Sequence, residues 1–180
     1  MFNFGLEQWA NITISVAIWV VAALILLFIA NIIFAIWFHQ ILNRHSKSLT
    51  VALNAKFDNI KKLFEIINKL GVKTDIKCKE TIDAISPEDF KDQNSEICKI
   101  AREKLTYLRF EAFAVTRLQP NLEKNNEFVT AKNNVLEMDT VYRNTVACYN
   151  ADVLGYNYWI RFLPFRWFWK LIKTKTKNLI

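Results

Sequence analysis

The residues of this chain that could take part in catalysis are two carboxylate pairs, two histidines and three cysteines. The carboxylate pairs, Glu88–Asp89 and Glu137/Asp139, have the side chains that general acid and base catalysis uses. Both pairs have a simpler explanation. Glu88 and Asp89 follow Ser86-Pro87, as acids do in the first turn of a helix, and Glu137 and Asp139 suit a solvated helix face. We therefore expect no catalytic residue and no enzymatic activity.

The histidines and cysteines give no better site. His39 and His45 follow a long apolar run, which places them beside a membrane and not deep in a fold. Cys78, Cys98 and Cys148 form neither a CxxC pair nor a metal-binding pattern, so we interpret them as free thiols in a reducing compartment. We interpret Cys148 as a small helix-packing residue, with a reactive thiol as the alternative. Neither a metal nor a cofactor is expected, and 3 glycines cannot build a phosphate-binding loop.

An apolar run near the N-terminus predicts a membrane-spanning helix. No Lys, Arg, Asp or Glu occurs between Glu7 and Arg44, and residues 12–38 are almost entirely apolar. A spanning helix needs about 20 such residues. Trp9 and Trp37 stand near its two ends, where tryptophan favours the membrane–water interface. A cleaved signal peptide would start with positive charge and have a shorter apolar core, so we expect the segment to remain as an anchor.

The flanking charges predict the orientation of this helix. No Lys or Arg precedes the run, whereas Arg44, Lys47 and Lys56 follow it. Since positively charged flanks stay in the cytoplasm, we expect the N-terminus outside and the rest of the chain in the cytoplasm. Asn31 is the one strongly polar residue of the run. It is either tolerated there or forms a hydrogen bond between membrane helices.

Three stripes of apolar residues, at steps of three and four, predict amphipathic helices after the apolar run. The first extends from Leu49 to Ile67 and directly continues the membrane helix, and Gly71 is placed to cap its end. The second extends from Ile97 to Val115, and the third from Phe128 to Leu163. The predicted fold class is therefore all-α: a single N-terminal transmembrane helix followed by an elongated antiparallel four-helix bundle.

The third helix is the longest, and we expect it to extend from Pro120 to Leu163. Gly155 lies in its interior, and the preferred explanation is the close approach of a neighbouring helix, with a hinge as the alternative. The chain is expected to divide into an extracytoplasmic N-terminus (1–9), a transmembrane helix (10–38), a bundle (39–163) and a C-terminal tail (164–180).

Two Tyr-Asn pairs stand seven residues apart in this helix, with other residues at fixed distances from them. The set is Pro120-Asn121-Leu122, Phe128, Tyr149-Asn150, Tyr156-Asn157 and Leu163-Pro164. Over residues 120–164 this spacing resembles the LemA family, although Leu163 stands where that family has Phe. The resemblance over residues 39–71 is loose. The resemblance to the LemA family implies a membrane-anchored helical bundle with no established enzymatic activity.

The Tyr-Asn pairs also have a physical interpretation of their own. The seven-residue spacing places Tyr149 and Tyr156 on the core-facing stripe and puts Asn150 and Asn157 beside it. We expect the asparagines to form hydrogen bonds to another helix and to fix its register. A row that recognises a ligand is the alternative.

The C-terminal tail is basic and aromatic. Residues 161–180 carry six basic side chains and no acid, and eight of the 14 residues from 156 to 169 are aromatic. Such a segment suits the headgroup layer of an anionic membrane. The residues predicted to contact lipid are Arg161, Arg166, Trp167, Trp169, Lys170 and Lys173. Packing of the aromatic residues against the end of the bundle is an alternative, and nucleic-acid binding is not expected.

These features favour a non-enzymatic scaffold or adaptor at the inner membrane. Its expected partners are the lipid bilayer and a membrane or cytoplasmic protein, and the apolar stripes together with Asn31 permit a homo-oligomer. The alternative is a membrane-organising protein whose basic aromatic tail binds anionic lipid.

Overall fold

The computed structural model describes residues 3–161 and 177–180, with side chains from residue 8 onward. The described residues form four α-helices and two short 3-10 helices and contain no strand. The α-helices are α1 (Asn3–Lys69), α2 (Ile76–Asp83), α3 (Glu96–Leu118) and α4 (Asn126–Arg161). The 3-10 helices span Pro87–Phe90 and Pro120–Lys124. The prediction of an all-α protein with one long apolar N-terminal helix is confirmed.

The apolar run and the first amphipathic stripe belong to one helix, α1, of 67 residues. The reason is local, because neither Gly nor Pro occurs between Leu6 and Leu70 to interrupt it. The helix ends at Gly71, whose φ of 81° is the left-handed conformation that glycine adopts without strain. There the Val72 N–H donates to the Ile67 carbonyl at 3.3 Å, which completes the predicted cap.

The N-terminal half of α1 is almost entirely exposed. From residue 8 to residue 30 every side chain except that of Ala22 is exposed. At 1.5 Å per residue this part is roughly 35 Å long, and a hydrocarbon layer is about 30 Å thick. Among the described residues, α1 is the one helix long and apolar enough to cross a membrane, and its most apolar 18-residue window has a mean hydropathy of 2.9.

The C-terminal half of α1 packs against α4 and α3. The six residues of its predicted stripe are all buried: Leu49, Leu53, Phe57, Ile60, Phe64 and Ile67. Phe34 of α1 contacts Trp159 of α4, and Lys56 contacts Asp139. Residues further along α1 therefore contact residues earlier in α4. The C-terminal turns of α4 therefore lie beside the part of α1 where exposure ends.

The third predicted helix begins later than expected. Pro120 opens a 3-10 helix instead of α4, and α4 begins at Asn126. The cause is a cap, because the Asn125 side chain accepts a hydrogen bond from the Phe128 N–H at 3.1 Å while its own backbone is extended. From Phe128 to Ile160 the predicted stripe is buried or half-buried, with Phe128, Val135, Tyr149 and Val153 among its buried residues, and Leu163 lies outside the described residues.

The helix start predicted at Ser86-Pro87 is confirmed, since Ser86 caps a short 3-10 helix that has Pro87 at its first position and Glu88 and Asp89 in its first turn. The start of the stripe in α3 needs correction, because Cys98 is buried there and Ile97 is 62% exposed. Here too the cap sets the phase of the helix, because Ser95 accepts a hydrogen bond from the Cys98 N–H at 3.1 Å.

Gly155 lies against α1, but not closely enough to require glycine. A Cβ atom at this position would lie 3.5 Å from the Cζ atom of Phe38, an ordinary van der Waals distance. The expectation that a neighbouring helix leaves no room for a side chain is therefore wrong.

Candidate membrane interface and peptide-docking site

Five aromatic side chains meet where the exposed half of α1 ends and the packing against α4 begins. They are Phe34, Trp37, Phe38, Tyr156 and Trp159, and we call them the aromatic collar. The Phe34 and Trp159 rings lie 4.3 Å apart between centroids, and Phe38 contacts both Phe34, at 4.8 Å, and Tyr156, at 6.1 Å. Aromatic side chains with a polar edge favour the boundary between hydrocarbon and water. The collar thus marks the level of a membrane interface if α1 spans a bilayer.

Of the polar residues near this level, Asn31 and Lys56 make contacts within the chain. Asn31 is buried, and its side-chain amide donates to the Leu27 carbonyl at 2.8 Å, within its own helix. A hydrogen bond between membrane helices remains a prediction.

Of the cations that suggested the orientation, Arg44 and Lys47 are exposed. Lys56 is only 5% exposed and is paired with Asp139, so it adds no free charge to the flank.

Asn150 and Asn157 bind the C-terminal residues of the chain. The Asn157 side chain accepts from the Lys177 N–H and donates to the Lys177 carbonyl, both at 2.9 Å. Asn150 does the same with Ile180, accepting from its N–H at 3.0 Å and donating to its carbonyl at 2.9 Å. The asparagines were predicted to bond to another helix, and that prediction is wrong, since their partner is the segment 177–180.

The two asparagines match the repeat of an extended chain. Seven residues of α-helix rise about 10.5 Å, and three residues of extended chain span about 10 Å. Asn150 and Asn157 are seven residues apart, and Lys177 and Ile180 are three apart, so each asparagine meets one residue of the segment. The segment runs opposite to α4, from the collar toward the middle of the helix. We call Asn150 and Asn157 the asparagine pair and residues 177–180 the docked segment.

The tyrosines of the Tyr-Asn pairs form the apolar side of this site. Tyr149 and Tyr156 are buried, at 3% and 9% exposure, as predicted. They belong to a cluster in which α1 and α4 meet and against which the half-buried Ile180 packs. The buried members of the cluster are Leu42, Leu49, Tyr149, Val153, Tyr156 and Ile160. Each Tyr-Asn pair thus provides one core residue and one hydrogen-bonding residue at the same level of α4.

A buried ion cluster joins α1, α3 and α4. The Asp139 carboxylate is 6% exposed and contacts Lys56 at 2.8 Å, Arg109 at 2.6 Å and Arg143 at 2.9 Å. Burial raises the pKa of Asp139, but the Lys56 hydrogen bond and charge, with Arg109 and Arg143, outweigh it and hold the pKa below its usual value. The Lys56 ammonium also lies 4.9 Å from the centre of the Tyr142 ring.

Sequence reasoning assigned Asp139 to a solvated face, and that assignment is wrong. The signal was present, because Asp139 lies four residues after the buried Val135 and Lys56 lies between the buried Leu53 and Ile60. Opposite charges on two facing apolar stripes indicate a buried ion pair.

The other candidate residues are scattered through the fold. Pro120 and Asn121 are exposed in the second 3-10 helix, while Leu122 and Phe128 are buried against the core. Arg161 is exposed at the end of α4. The remaining motif and lipid-contact residues lie outside the described part of the chain: Pro164, Arg166, Trp167, Trp169, Lys170 and Lys173.

The titratable candidates do not converge on one centre. Cys78 and Cys98 are buried and free, and Cys148 is free and exposed, so its assignment as a packing residue is wrong. The His45 Nδ1 atom lies 2.6 Å from the Asp152 carboxylate, across the contact between α1 and α4. Within the described ranges, no three His, Cys, Asp or Glu side chains are grouped so that they could hold a metal ion.

In comparisons with known proteins, no family model, no curated protein and no solved structure matches this chain. The similarity to the LemA family remains a prediction based on the residues of the Tyr-Asn pattern.

Proposed function

We propose that this chain is a single-pass protein of the bacterial inner membrane whose cytoplasmic body is a non-enzymatic scaffold or adaptor of the LemA type. In this arrangement the exposed half of α1 spans the bilayer. The second half of α1 forms an elongated antiparallel bundle with α3 and α4. The observation that carries the proposal is the continuity of α1, because the same helix is wholly exposed and apolar at one end and part of a buried core at the other.

The collar and the charges after it support the proposed orientation. The collar begins at Phe34, and the exposed Arg44 and Lys47 follow it within 13 residues along α1. Basic residues this close to the end of a spanning helix favour the cytoplasmic side. The body would then lie against the inner leaflet with the C-terminal turns of α4 nearest the bilayer.

The anchor is tested by two matched charge substitutions on α1. Leu26 and Val51 are both 67% exposed, but Leu26 lies in the apolar half and Val51 in the body. Leu26→Arg places a charge at the helix centre, which costs about 3 kcal/mol during insertion, whereas Val51→Arg places it in water. We expect alkaline carbonate to extract the Leu26→Arg chain and to leave the wild-type and Val51→Arg chains in the membrane. Extraction of the wild-type chain would refute the anchor.

The scaffold role is tested by site-specific photo-cross-linking in native membranes. Phe110 on α3 is 60% exposed and faces away from the core, so a photoreactive residue there would meet a partner of the body. The same residue at Leu26 is the control, because that position should meet lipid and other membrane helices. We expect a distinct protein adduct from position 110. Recovery of only the abundant proteins that position 26 also labels would count against a scaffold.

The alternative of a membrane-organising protein is favoured by one observation. Arg161 and Lys177 are both exposed at the collar end of the body, where they would face an anionic surface. Charge reversal at both positions (Arg161→Glu with Lys177→Glu) should then abolish any clustering of anionic lipid by the reconstituted chain. The matched control is reversal of the exposed Lys61 and Lys69, far from the collar. Equal lipid clustering by both reversed chains would exclude this alternative.

A further inference from the structure

The asparagine pair binds the docked segment through main-chain atoms. All four hydrogen bonds join a side-chain amide to a backbone N–H or carbonyl. None of them depends on which side chains the segment carries. The side-chain requirement at this site comes from Ile180, which packs against the apolar cluster. The site therefore recognises an extended backbone with an apolar residue at the position of Ile180.

The docked segment is held weakly. Lys177, Asn178 and Leu179 are exposed, and Ile180 is only half-buried. The two hydrogen bonds at Lys177 are exposed and the two at Ile180 are partly buried. A hydrogen bond of this kind contributes little net stability, and segments with few buried contacts open at low free energy. When the segment leaves, the two amides lose their partners and the edge of the apolar cluster is uncovered. An extended segment from elsewhere could restore all of these contacts.

We propose that the asparagine pair is a docking site for an extended peptide segment of another protein that carries an apolar residue at the position of Ile180 and binds by displacing residues 177–180 of this chain. The proposal rests on the scaffold function and names the kind of partner it holds. The chain's own segment then acts as a built-in competitor that keeps the site filled in the absence of the partner.

The test uses the full chain in detergent micelles and a fluorescent peptide of residues 174–180 as the probe. Ile180→Ser in the protein removes the apolar contact of the competitor, so we expect this variant to bind the peptide about tenfold more tightly than the wild-type chain. Asn150→Ala with Asn157→Ala in the same background should abolish binding. The matched control is Asn133→Ala with Asn144→Ala, which changes two exposed asparagines of α4 and should leave binding unchanged.

Backbone methylation of the peptide tests the same contacts without altering the protein. An N-methyl group at the residue equivalent to Ile180 removes the donor to Asn150 and should weaken binding by about tenfold. The same group at the residue equivalent to Leu179, whose N–H makes no hydrogen bond to the described residues, should have little effect. Equal effects at the two positions would overturn the proposal.

Three further outcomes are decisive. Absence of peptide binding to the Ile180→Ser chain would show that the segment is only an internal latch, and would overturn the proposal. Equal peptide affinity of the wild-type and Ile180→Ser chains would exclude competition. A wild-type dimer that the double asparagine substitution converts to monomer would show exchange of the segment between copies and would also overturn it. Carbonate extraction and cross-linking test the anchor and the scaffold separately. Failure of the docking proposal is therefore distinguishable from failure of the proposed function.

Discussion

At the scale of single residues, the Asp139 carboxylate is the centre of the buried ion cluster that joins α1, α3 and α4. One carboxylate contacts Lys56, Arg109 and Arg143, which come from three helices, and it is almost fully buried together with Lys56. A buried pair of charges adds little stability compared with apolar residues, but removal of one partner is costly because the other charge remains buried without compensation.

Asp139→Asn should therefore destabilise the chain by about 3–5 kcal/mol, since Lys56 would keep its charge and lose its anion. Chemical unfolding of the detergent-solubilised chain, followed by helical circular dichroism, measures this. Glu137→Gln, at an exposed position on the same helix, is the matched control and should change stability by less than about 0.5 kcal/mol. Equal effects of the two substitutions would contradict the role assigned to Asp139.

The same carboxylate should make stability depend on acidic pH. The pKa of Asp139 is lower in the folded chain than its usual value of 3.8. The stabilisation is therefore present above that usual value and is lost as the pH falls through the lower folded-state pKa. We expect the stability difference between the wild-type and Asp139→Asn chains to be constant from pH 7 to about pH 5 and to shrink below about pH 4. A difference that stays unchanged at pH 3 would be inconsistent with this cause.

At the scale of the helices, the two glycines of the body should respond to alanine in opposite ways. Gly71 has a φ of 81°, which strains any residue with a Cβ, so Gly71→Ala should destabilise the chain by about 1 kcal/mol. Gly155 is a helix-interior residue with room for a methyl group beside Phe38, so Gly155→Ala should stabilise it by about 0.5–1 kcal/mol. Thermal unfolding of both variants measures this, and destabilisation by Gly155→Ala would show that α1 and α4 cannot separate slightly at this point.

The periodic part of the helices was predictable from sequence, and their ends were less so. The stripe from Leu49 to Ile67 was correct at each of its six residues because burial repeats with the period of the helix. The starts of α3 and α4 depend on single capping hydrogen bonds, which the side chains of Ser95 and Asn125 accept and which no periodic pattern reveals. Pro120 was a misleading signal, since proline suits the first turn of a 3-10 helix equally well.

The contacts of the asparagine pair could not be predicted from periodicity. The seven-residue spacing located Asn150 and Asn157 beside the core stripe, but their partners lie 30 and 20 residues further along the chain. The docked segment has no helical pattern of its own. The asparagine pair and the docked segment are related only by distance, because seven helical residues rise about as far as three extended residues span. That equality can be recognised only once both conformations are known.

At the scale of the whole molecule, the exposed thiol tests the proposed orientation, in which the body lies in the cytoplasm. Cys148 is exposed on α4, whereas Cys78 and Cys98 are buried, and burial raises the pKa of both buried thiols. Of the three cysteines, the exposed Cys148 is therefore the one expected to react with a maleimide. A membrane-impermeant maleimide should label the chain only after the inner membrane is permeabilised, and Cys148→Ser should abolish labelling. Labelling of intact spheroplasts would place the body outside.

If α1 spans a bilayer as proposed, its unbroken course also couples the bilayer to the far end of the body. From Asn31, near the end of the exposed half, to Lys69 the helix continues for roughly 57 Å without a Gly or Pro to absorb a bend. A spanning helix tilts when the bilayer becomes thinner, and a tilt of roughly ten degrees would move the far end by about 10 Å. Bilayer thickness would thereby be converted into a displacement large enough for a protein bound to the body to detect.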